Sequence, residues 1–317
     1  MNQYFLGVDG GQSSTLALIG DASGRVIGVG RGGPCDHVGA AEGQAKFIHA
    51  MNACLQSACA QAGLNPRSVH FASACLGFSG GPSGKEAILS QVLSSDLTIV
   101  TDDARIALNG ATAGEPGVIV IAGTGSIAFG RSASGQTARA GGWGYLFGDE
   151  GGGFYIVRQA LRAALRWEEG WGTPTALHSA LLHATGARDI NDLMHRCYTP
   201  EFPRARVAAY AKLVDQAAMN GDAIASEILH ESAQQLALLA ASVRQQLFGA
   251  GESVRMAYVG GVFRSRILLV RFQDLVELEA GNQLAPPQYG PAAGALLEAY
   301  RAVGSPRLLS DLPPDEL

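Results

Sequence analysis

The first third of the chain alternates between strand-like and helical spacing of its apolar positions. Residues 4–33 hold three short apolar stretches separated by polar, glycine-containing turns, which predicts three strands. Residues 40–62 repeat apolar side chains with a period near 3.6 and predict a helix. Apolar runs at 69–76 and 97–101 predict two more strands, with a helix over 85–93 between them. Strands interleaved with helices indicate an α/β fold.

The second part of the chain opens in the same way. Residues 117–142 repeat the order found at 4–33: a strand, a glycine-rich turn, a second strand, an Ala-Ser-Gly turn, a third strand and a Gly-Gly pair. A helix over 153–167, further helices through 175–249 and a strand at 255–259 follow. Matching turn chemistry over this length predicts an internal duplication.

The length of the chain supports two domains. With 317 residues it exceeds the usual size of a single hydrophobic core. The duplication places the domains at residues 1–115 and 116–317. A final strand-and-helix stretch ends in a helix at about 291–303, and the sequence leaves open whether this helix packs back on the first domain.

Composition narrows the class of partner. The chain is 47% hydrophobic and 16% charged, with a net charge of −5 and no Lys/Arg block, so we expect neither nucleic acid nor a membrane as partner. The sequence contains no uninterrupted run of about 18 or more apolar residues, so we expect no transmembrane helix. The N-terminus lacks the pattern of a signal peptide and the cysteines form no CxxC pair, so we expect a cytoplasmic protein with reduced thiols.

The turn after the first strand has the residues of a phosphate site. Asp9 ends a buried strand, where a carboxylate needs a cation or hydrogen-bond donors. Two glycines let backbone N–H groups approach a phosphate, and three hydroxyls add donors. These residues are Gly10, Gly11, Ser13, Ser14 and Thr15. Asp9 would hold Mg²⁺ through water, because Mg²⁺ keeps much of its hydration. The alternative is a hairpin in which Asp9 only forms the turn.

The corresponding turn of the repeat, Gly123–Ser126, also predicts a phosphate loop. Gly123, Gly125 and Ala128 fit the dinucleotide-binding spacing G-x-G-x-x-A as well. That motif needs a helix to begin inside it, whereas the following residues alternate as a strand, and no acidic residue lies about 20 positions further on. A phosphate loop between two strands therefore fits better.

The segment 77–81 offers a different chemistry. Its sequence satisfies G-x-S-x-G, the nucleophile elbow of serine hydrolases, with Ser79 as the nucleophile. Pro82 falls where the helix after the elbow should already be running, which argues against a hydrolase. The neighbouring Gly84-Lys85 pair lacks the earlier glycine and the following Ser/Thr of a Walker A loop.

Two adjacent carboxylates, Asp102 and Asp103, close an apolar strand and open a helix. Either could cap that helix. One of them could instead be a general base that accepts a proton from an attacking hydroxyl. Phosphoryl transfer needs mainly positioning and charge neutralisation, so one base, one Mg²⁺ and two phosphate loops would suffice.

Residues 141–151 combine glycines, aromatic residues and carboxylates in one short stretch. Such residues suit the binding of a ligand that is a polar ring with apolar faces, because aromatic side chains can pack on its faces and carboxylates can accept hydrogen bonds from its polar groups. Asp149 stands just before a predicted helix, so a helix cap is the alternative for this residue.

Six short motifs follow one another along nearly the whole chain. They are DGG at 9–11, SGG at 79–81, DDA at 102–104, GTGS at 123–126, GGWGYLFGDEG at 141–151 and YVGGVF at 258–263. In this order they resemble the N-acetylglucosamine kinase branch of the BadF/BadG/BcrA/BcrD ATPase family, within the superfamily of sugar kinases, heat-shock protein 70 and actin. The resemblance implies an actin-like ATPase fold, in which two ribonuclease-H-like domains enclose ATP. It also implies that Mg²⁺ and ATP serve to phosphorylate an amino sugar, N-acetylglucosamine first, to its 6-phosphate.

The resemblance also implies roles for single residues. Asp103 matches the catalytic base, Asp9 the magnesium position, and the YVGGVF motif borders the adenosine. The implied ATP-binding residues are Asp9, Gly10, Gly11, Ser13, Ser14, Thr15, Gly123, Thr124, Gly125, Ser126, Gly260 and Gly261. The implied sugar-binding residues are Asp36, Gly80, Gly81, Asp103, Gly142, Trp143 and Asp149.

Asp36 departs from the pattern of the N-acetylglucosamine kinases, which tend to have an asparagine there. A carboxylate only accepts hydrogen bonds, so glucosamine, with its cationic amine, is an alternative substrate. The family also includes non-kinase ATPases that activate other enzymes through a cysteine-bound iron–sulfur cluster. The cysteines here, which show no such pattern, are Cys35, Cys54, Cys59, Cys75 and Cys197. The expected partner is a small-molecule sugar, and a homodimer remains an option.

Overall fold

A computed structural model describes residues 3–11, 14–35 and 41–316. The chain divides into two compact units, which we call unit 1 and unit 2. Unit 1 comprises Met1–Pro116 and Pro286–Leu317, and unit 2 comprises Gly117–Ala285. Each unit is built on one five-stranded sheet.

The sheet of unit 1 has the strand order β3-β2-β1-β4-β5. Its strands are β1 (Tyr4–Gly10), β2 (Thr15–Asp21), β3 (Val26–Gly32), β4 (Ser73–Phe78) and β5 (Thr98–Asp102). β2 runs antiparallel to β1 and β3, whereas β1, β4 and β5 run parallel to one another. The loops that follow β1, β4 and β5 therefore leave the sheet at the same edge.

Helices cover both faces of this sheet. They are α1 (Ala41–Gln61), α2 (Glu86–Leu89), α3 (Asp103–Ala111) and α11 (Pro291–Ala302), with a short 3-10 helix at Pro314–Glu316. Side chains of β1 alternate between the faces, as strand geometry requires. Leu6 and Val8 lie in the core formed with α1. Phe5 points to the other face and packs on Tyr300 of α11, with ring centroids 4.2 Å apart.

The close approach of α11 to its neighbours depends on glycine. A Cβ atom on Gly7 of β1 would overlap the backbone of α11 at Leu296, and one on Gly294 of α11 would overlap the backbone of α3. This packing is the reason why residues 286–317 lie in unit 1. The division expected from the sequence assigned them to the second domain and left the packing of the last helix open.

Two elements of unit 1 differ from those expected. The strand predicted at 69–76 begins only at Ser73, because Phe71 forms just an isolated bridge with Ser95. The helix predicted over 85–93 is α2 alone. After Leu89 the backbone changes to turns closed by bonds three residues apart, such as the bond from the N–H of Val92 to the carbonyl of Leu89 at 2.9 Å.

The sheet of unit 2 has the strand order β10-β9-β6-β7-β8. Its strands are β6 (Gly117–Ala122), β7 (Ser126–Arg131), β8 (Thr137–Gly141), β9 (Val254–Val259) and β10 (Asn282–Ala285). β7 is antiparallel to β6 and β8, whereas β9 is parallel to β6 and β10. Taken in chain order, these strands have the same arrangement and directions as those of unit 1, as an internal duplication predicts.

Helices make up most of the remaining length of unit 2. They are α4 (Gly153–Glu168), α5 (Leu177–Thr185), α6 (Ile190–Cys197), α7 (Arg204–Ala208), α8 (Ala211–Met219), α9 (Ala223–Leu247) and α10 (Arg266–Val276), with a 3-10 helix at Gly261–Arg264. The long helix α9 packs on β6, β7 and β8 and contributes Leu236, Ala240 and Val243 to the core. None of the helices in the described part of the chain combines the length and apolar character needed to cross a bilayer.

Candidate active site

Three parallel strands of unit 1 end side by side. In their register, Gly10 of β1 lies opposite Phe78 of β4, and Phe78 lies opposite Asp102 of β5. The residues that follow are therefore brought together at one edge of the sheet. These are the glycine turn after Asp9, the Ser79–Gly81 turn and the start of α3 at Asp103.

The structure separates the two adjacent carboxylates. Asp102 is the N-cap of α3, because its side chain accepts a hydrogen bond from the backbone N–H of Arg105 at 2.8 Å. Asp103 is the first residue of the helix, and its Oδ2 accepts a hydrogen bond from the hydroxyl of Ser79 at 2.7 Å. Capping thus occupies Asp102 and leaves Asp103 to face the turn after β4.

Asp9 is a half-buried carboxylate in this cluster. Burial, and to a lesser degree the charge of Asp103, raise its pKa from 3.8 to about 6. A carboxylate in this position favours a nearby cation, which would offset both effects. No group of three or more His, Cys, Asp or Glu side chains that could hold a metal occurs among the described residues. The carboxylates of Asp9 and Asp103 are oxygen donors of the kind that Mg²⁺ takes in proteins, where one or two carboxylates bind it beside water and phosphate oxygens.

The first glycine turn is tight and lies beside the turn after β4. The N–H of Gly11 donates to the carbonyl of Ser14 at 2.9 Å, and the N–H of Ser79 donates to the carbonyl of Gly10 at 3.1 Å. A Cβ atom on Gly10 would overlap the ring of Phe78, so this position requires glycine.

Two of the three predicted hydroxyl donors of the first turn, Thr15 and Ser14, lie in the described part of the chain and have different surroundings. Thr15 is buried, and its hydroxyl donates to the carbonyl of Gly33 at 2.7 Å, so this donor is occupied inside unit 1. Ser14 is exposed. The predicted residues Ser13 and Asp36 lie outside the described part of the chain.

The turn after β4 has an unusual backbone. Gly80 and Gly81 both have positive φ angles, 78° and 80°, a conformation that other residues adopt only with strain. The hydroxyl of Ser79 donates to an aspartate rather than to a histidine, which does not match the arrangement of a Ser-His-Asp triad. Lys85, which the sequence offered only as part of an incomplete Walker A loop, lies buried beside this turn.

In unit 2, the loop Gly123–Ser126 joins β6 to β7. The N–H of Gly123 donates to the carbonyl of Gly125 at 3.0 Å, which closes the loop. A strand follows it rather than a helix, so the dinucleotide-binding interpretation is wrong. The helix that does meet the loop is α4, since the N–H of Gly153 donates to the carbonyl of Gly123 at 2.8 Å.

Asp149 lies against this loop. Its Oδ1 accepts from the N–H of Ser126 at 3.3 Å, and a Cβ atom on Gly125 would come within 2.5 Å of the Asp149 carboxylate. Asp149 is buried and has a positive φ of 66°, and Arg204 lies 4.0 Å from its other oxygen. The N-cap of α4 is Gly152, so capping does not explain Asp149.

A cavity of about 410 Å³ in unit 2 connects two of the predicted motifs. Gly123 and Thr124 of the loop line one part of it, and Gly261 of the turn after β9 lines another. At the preceding Gly260 the backbone has a φ of 118°, and a Cβ atom there would overlap the backbone of Ala122. Two distant stretches of sequence are thus fixed on one cavity of a size that suits a small ligand.

The aromatic part of the Gly141–Gly151 stretch lies at the surface of unit 2. Trp143 is 66% exposed, and the guanidinium of Arg139 lies 4.1 Å from its ring centroid. Gly142, directly before it, has a positive φ of 72°. Of the predicted sugar-binding residues of unit 2, Asp149 is therefore buried and Trp143 is exposed at the surface.

The sequence pattern of the BadF/BadG/BcrA/BcrD ATPase family matches residues 6–299, which is nearly the whole chain. The chain belongs to this family. The prediction made from the six motifs is confirmed.

Individual relatives agree with this membership. The N-acetylmuramic acid/N-acetylglucosamine kinase of Clostridium acetobutylicum is 30% identical over 269 residues, covering 83% of this chain and 86% of the relative. The N-acetyl-D-glucosamine kinase of Dictyostelium discoideum is 27% identical over 325 residues, covering 95% and 98%. A crystal structure of a candidate N-acetylglucosamine kinase from Chromobacterium violaceum superimposes with a TM-score of 0.74 at 28% identity, covering 93% of this chain and 98% of that one.

The fold class and the enzyme class are confirmed together with the family. The fold is the two-domain α/β ATPase fold with ribonuclease-H-like units, and the enzyme is an ATP-dependent carbohydrate kinase. The roles of single residues stay predictions.

Proposed function

We propose that this enzyme transfers the γ-phosphoryl group of ATP to the 6-hydroxyl of N-acetylglucosamine. The observation that carries the proposal is the pair Asp103 and Ser79, beside the double-glycine turn at Gly80–Gly81. It unites a carboxylate, a hydroxyl that orients it and exposed backbone in one place. The names of the relatives from Clostridium acetobutylicum and Dictyostelium discoideum support the same sugar.

Asp103 is the general base of the proposed reaction. Ser79 donates to its Oδ2, so Oδ1 is left to accept the proton of the attacking sugar hydroxyl. Fixing one oxygen of the carboxylate restricts its rotation, and a base held in position acts on the bound sugar more effectively than a mobile one.

Asp9 serves the phosphate charge. Bound Mg²⁺ would neutralise part of the negative charge that the phosphoryl group carries during transfer. Asp9 would hold the ion through water, and the raised pKa of its carboxyl supports a position in which a cation is needed. The backbone of Gly10 and Gly11 and the exposed Ser14 face the phosphates in this proposal.

Unit 2 binds the remainder of the nucleotide. Gly123–Ser126 holds phosphates through its backbone and the hydroxyl of Thr124, and Asp149 fixes the shape of this loop as well as taking part in sugar binding. The cavity bordered by Gly261 receives the adenosine. Gly142 and Trp143 add to the sugar site.

A second candidate substrate is glucosamine. The observation in its favour is Asp36, a carboxylate where an asparagine is usual in the N-acetylglucosamine kinases of this family. A carboxylate attracts the amine of glucosamine, whereas it can only accept from the acetamido group. Asp36→Asn is expected to shift the ratio of kcat/KM values toward N-acetylglucosamine if Asp36 contacts the amino group of the sugar.

The cytoplasm is the proposed place of action. Four of the five cysteines are buried and the described structure pairs none of the five in a disulfide, which agrees with a reducing compartment in which ATP is supplied.

An ADP-release assay tests the function. Purified protein with Mg-ATP is offered glucose, glucosamine, N-acetylglucosamine, N-acetylmannosamine and N-acetylmuramic acid, and a no-sugar sample serves as the baseline. The expected result is the highest kcat/KM for N-acetylglucosamine and little ADP release without sugar. A preference for glucosamine would select the second candidate. ADP release that no sugar stimulates would reject the kinase in favour of a non-kinase ATPase.

A further inference from the structure

Lys85 is almost completely buried, with 2% of its surface exposed. Among its contacts, the ammonium group donates to the carbonyl of Gly81 at 2.8 Å and to the carbonyl of Ser79 at 3.3 Å. It also lies 5.0 Å from the ring centroid of Phe78. A charged group is costly to bury, so its placement here needs such compensation.

The two carbonyls that Lys85 binds stand on either side of Gly80. Gly80 and Gly81 both have positive φ angles, and neither carries a side chain that could fix the shape of the turn. The ammonium therefore holds both ends of the double-glycine turn. Ser79, at the first end, is the residue whose hydroxyl binds Asp103.

We propose that Lys85 is a positioning residue for the phosphoryl acceptor. It fixes the Ser79–Gly81 turn, and through Ser79 it fixes the carboxylate of Asp103 toward the sugar hydroxyl. The inference rests on the proposed function, because it assumes that Asp103 is the base and that Gly80 and Gly81 contact the sugar. It adds to the proposed site a residue that acts through Ser79 and the double-glycine turn rather than by contacting the substrate.

The chemistry of the site selects a lysine. An ammonium is a compact donor with three N–H groups, so it can bind two carbonyls from one point. A methionine of similar length would pack against the ring of Phe78 but would donate to neither carbonyl. Lys85→Met therefore removes the two hydrogen bonds while largely retaining the volume.

The test is the steady-state kinetics of Lys85→Met with N-acetylglucosamine and ATP. We expect kcat/KM for the sugar to fall by about 10- to 100-fold, because a misplaced turn disturbs both the base and the sugar contacts. The KM for ATP is expected to stay within about twofold, since the change is local to the acceptor side. Lys46→Met, at an exposed lysine of α1, is the matched control and should behave as the wild type.

A double-mutant cycle separates positioning from a general loss of structure. If Lys85 acts through Ser79, the effects of Lys85→Met and Ser79→Ala on kcat should not add. The kcat of the double variant should then be little lower than that of the less active single variant. Additive effects, or equal losses in the KM for ATP and for the sugar, would overturn the inference.

Two further outcomes keep the proposals apart. A wild-type protein without sugar-stimulated ADP release would refute the proposed function itself. An active wild type together with a fully active, folded Lys85→Met would refute only the role of Lys85. If Lys85→Met does not fold, Lys85→Gln is the second variant. Its amide can keep one of the two bonds and should lose about 3- to 10-fold in sugar kcat/KM, and wild-type kinetics in it would equally overturn the role.

Discussion

Unit 1 and unit 2 share one sheet arrangement but have different chemistry at the ends of their strands. In unit 1 the edge carries two interacting carboxylates, Asp9 and Asp103, and a hydroxyl that binds one of them. In unit 2 the corresponding hairpin has a glycine-rich loop next to a cavity. Asp149 accepts a hydrogen bond from the backbone of this loop. The sheets determine where the loops lie, and the loops determine what each unit can do. The proposed roles differ accordingly, with proton transfer and charge neutralisation in unit 1 and nucleotide binding in unit 2.

The largest expected effect concerns the carboxylate of unit 1. Asp103→Asn should lower kcat by about 10²- to 10⁴-fold, because an amide cannot accept the proton of the sugar hydroxyl. The KM for ATP should change little. Steady-state kinetics at saturating ATP measure this change.

The neighbouring residue supplies the control. Asp102→Asn keeps a good N-cap for α3, so kcat should stay within about threefold of the wild type. Near-normal turnover in Asp103→Asn, or an equal loss in both variants, would contradict the assignment of the base to Asp103.

The next effect should appear in the nucleotide kinetics of unit 2. Gly125→Ala places a Cβ atom within 2.5 Å of the Asp149 carboxylate, so either the loop or Asp149 must move. The KM for ATP should rise by about 10-fold or more, because small displacements of positioning groups are costly. Gly249→Ala, whose new Cβ would meet only Glu252 at 3.7 Å, should leave it unchanged. An unaltered KM in Gly125→Ala would refute the phosphate loop.

The pH dependence of the stability of the folded protein tests the ionisation of Asp9 in unit 1. Burial raises the pKa of Asp9 from 3.8 to about 6, so the folded protein binds this proton more tightly than the unfolded chain does. The ionised carboxylate therefore lowers stability, and the loss grows as the pH rises from about 4 to about 6. Asp9→Asn removes this loss and should be about 1–2 kcal/mol more stable than the wild type at pH 7, with little difference near pH 4.

Urea unfolding of both proteins at several pH values, without nucleotide or Mg²⁺, gives the comparison for Asp9. Asp274→Asn, at an exposed aspartate of α10, should show no such pH-dependent difference. A gain in stability that is constant from pH 4 to pH 7 would exclude the ionisation of Asp9 as its cause.

The smallest expected effect concerns the surface of unit 2. Trp143→Ala should raise the KM for the sugar by about 3- to 10-fold and leave kcat nearly unchanged, as the loss of a uniform binding contact does. Trp171 is a close control, because it is 64% exposed where Trp143 is 66% exposed, and it also lies under an arginine. Equal effects of Trp143→Ala and Trp171→Ala would remove Trp143 from the sugar site.

The glycine loops could be predicted from the sequence because their requirement is local. The positive φ angles at Gly80 and Gly81 favour glycine, whatever the rest of the fold does. The duplication could be predicted for the same reason, since it rests on strands and turns that repeat in order.

Other features depend on contacts that no local pattern encodes. The residues alone left open which of Asp102 and Asp103 could be a base, because either can cap a helix, and only the family resemblance pointed to Asp103. The N–H of Arg105 and the hydroxyl of Ser79 distinguish them in three dimensions. The position of Lys85 beside the double-glycine turn could not be predicted from the sequence, because its hydrogen bonds to Ser79 and Gly81 go to backbone carbonyls, which every residue carries. The position of α11 depends on glycine contacts between distant segments.

The discontinuity of unit 1 has a consequence for biosynthesis. α11 covers one face of β1 but is translated after the whole of unit 2, which ends at Ala285. While the ribosome synthesises unit 2, the face of β1 that carries Phe5 lacks α11, the helix with which it mainly packs. The second unit can therefore complete its core before the first, which reverses the usual N-to-C order of domain folding during translation. We expect this uncovered apolar face to favour aggregation of the growing chain until α11 emerges.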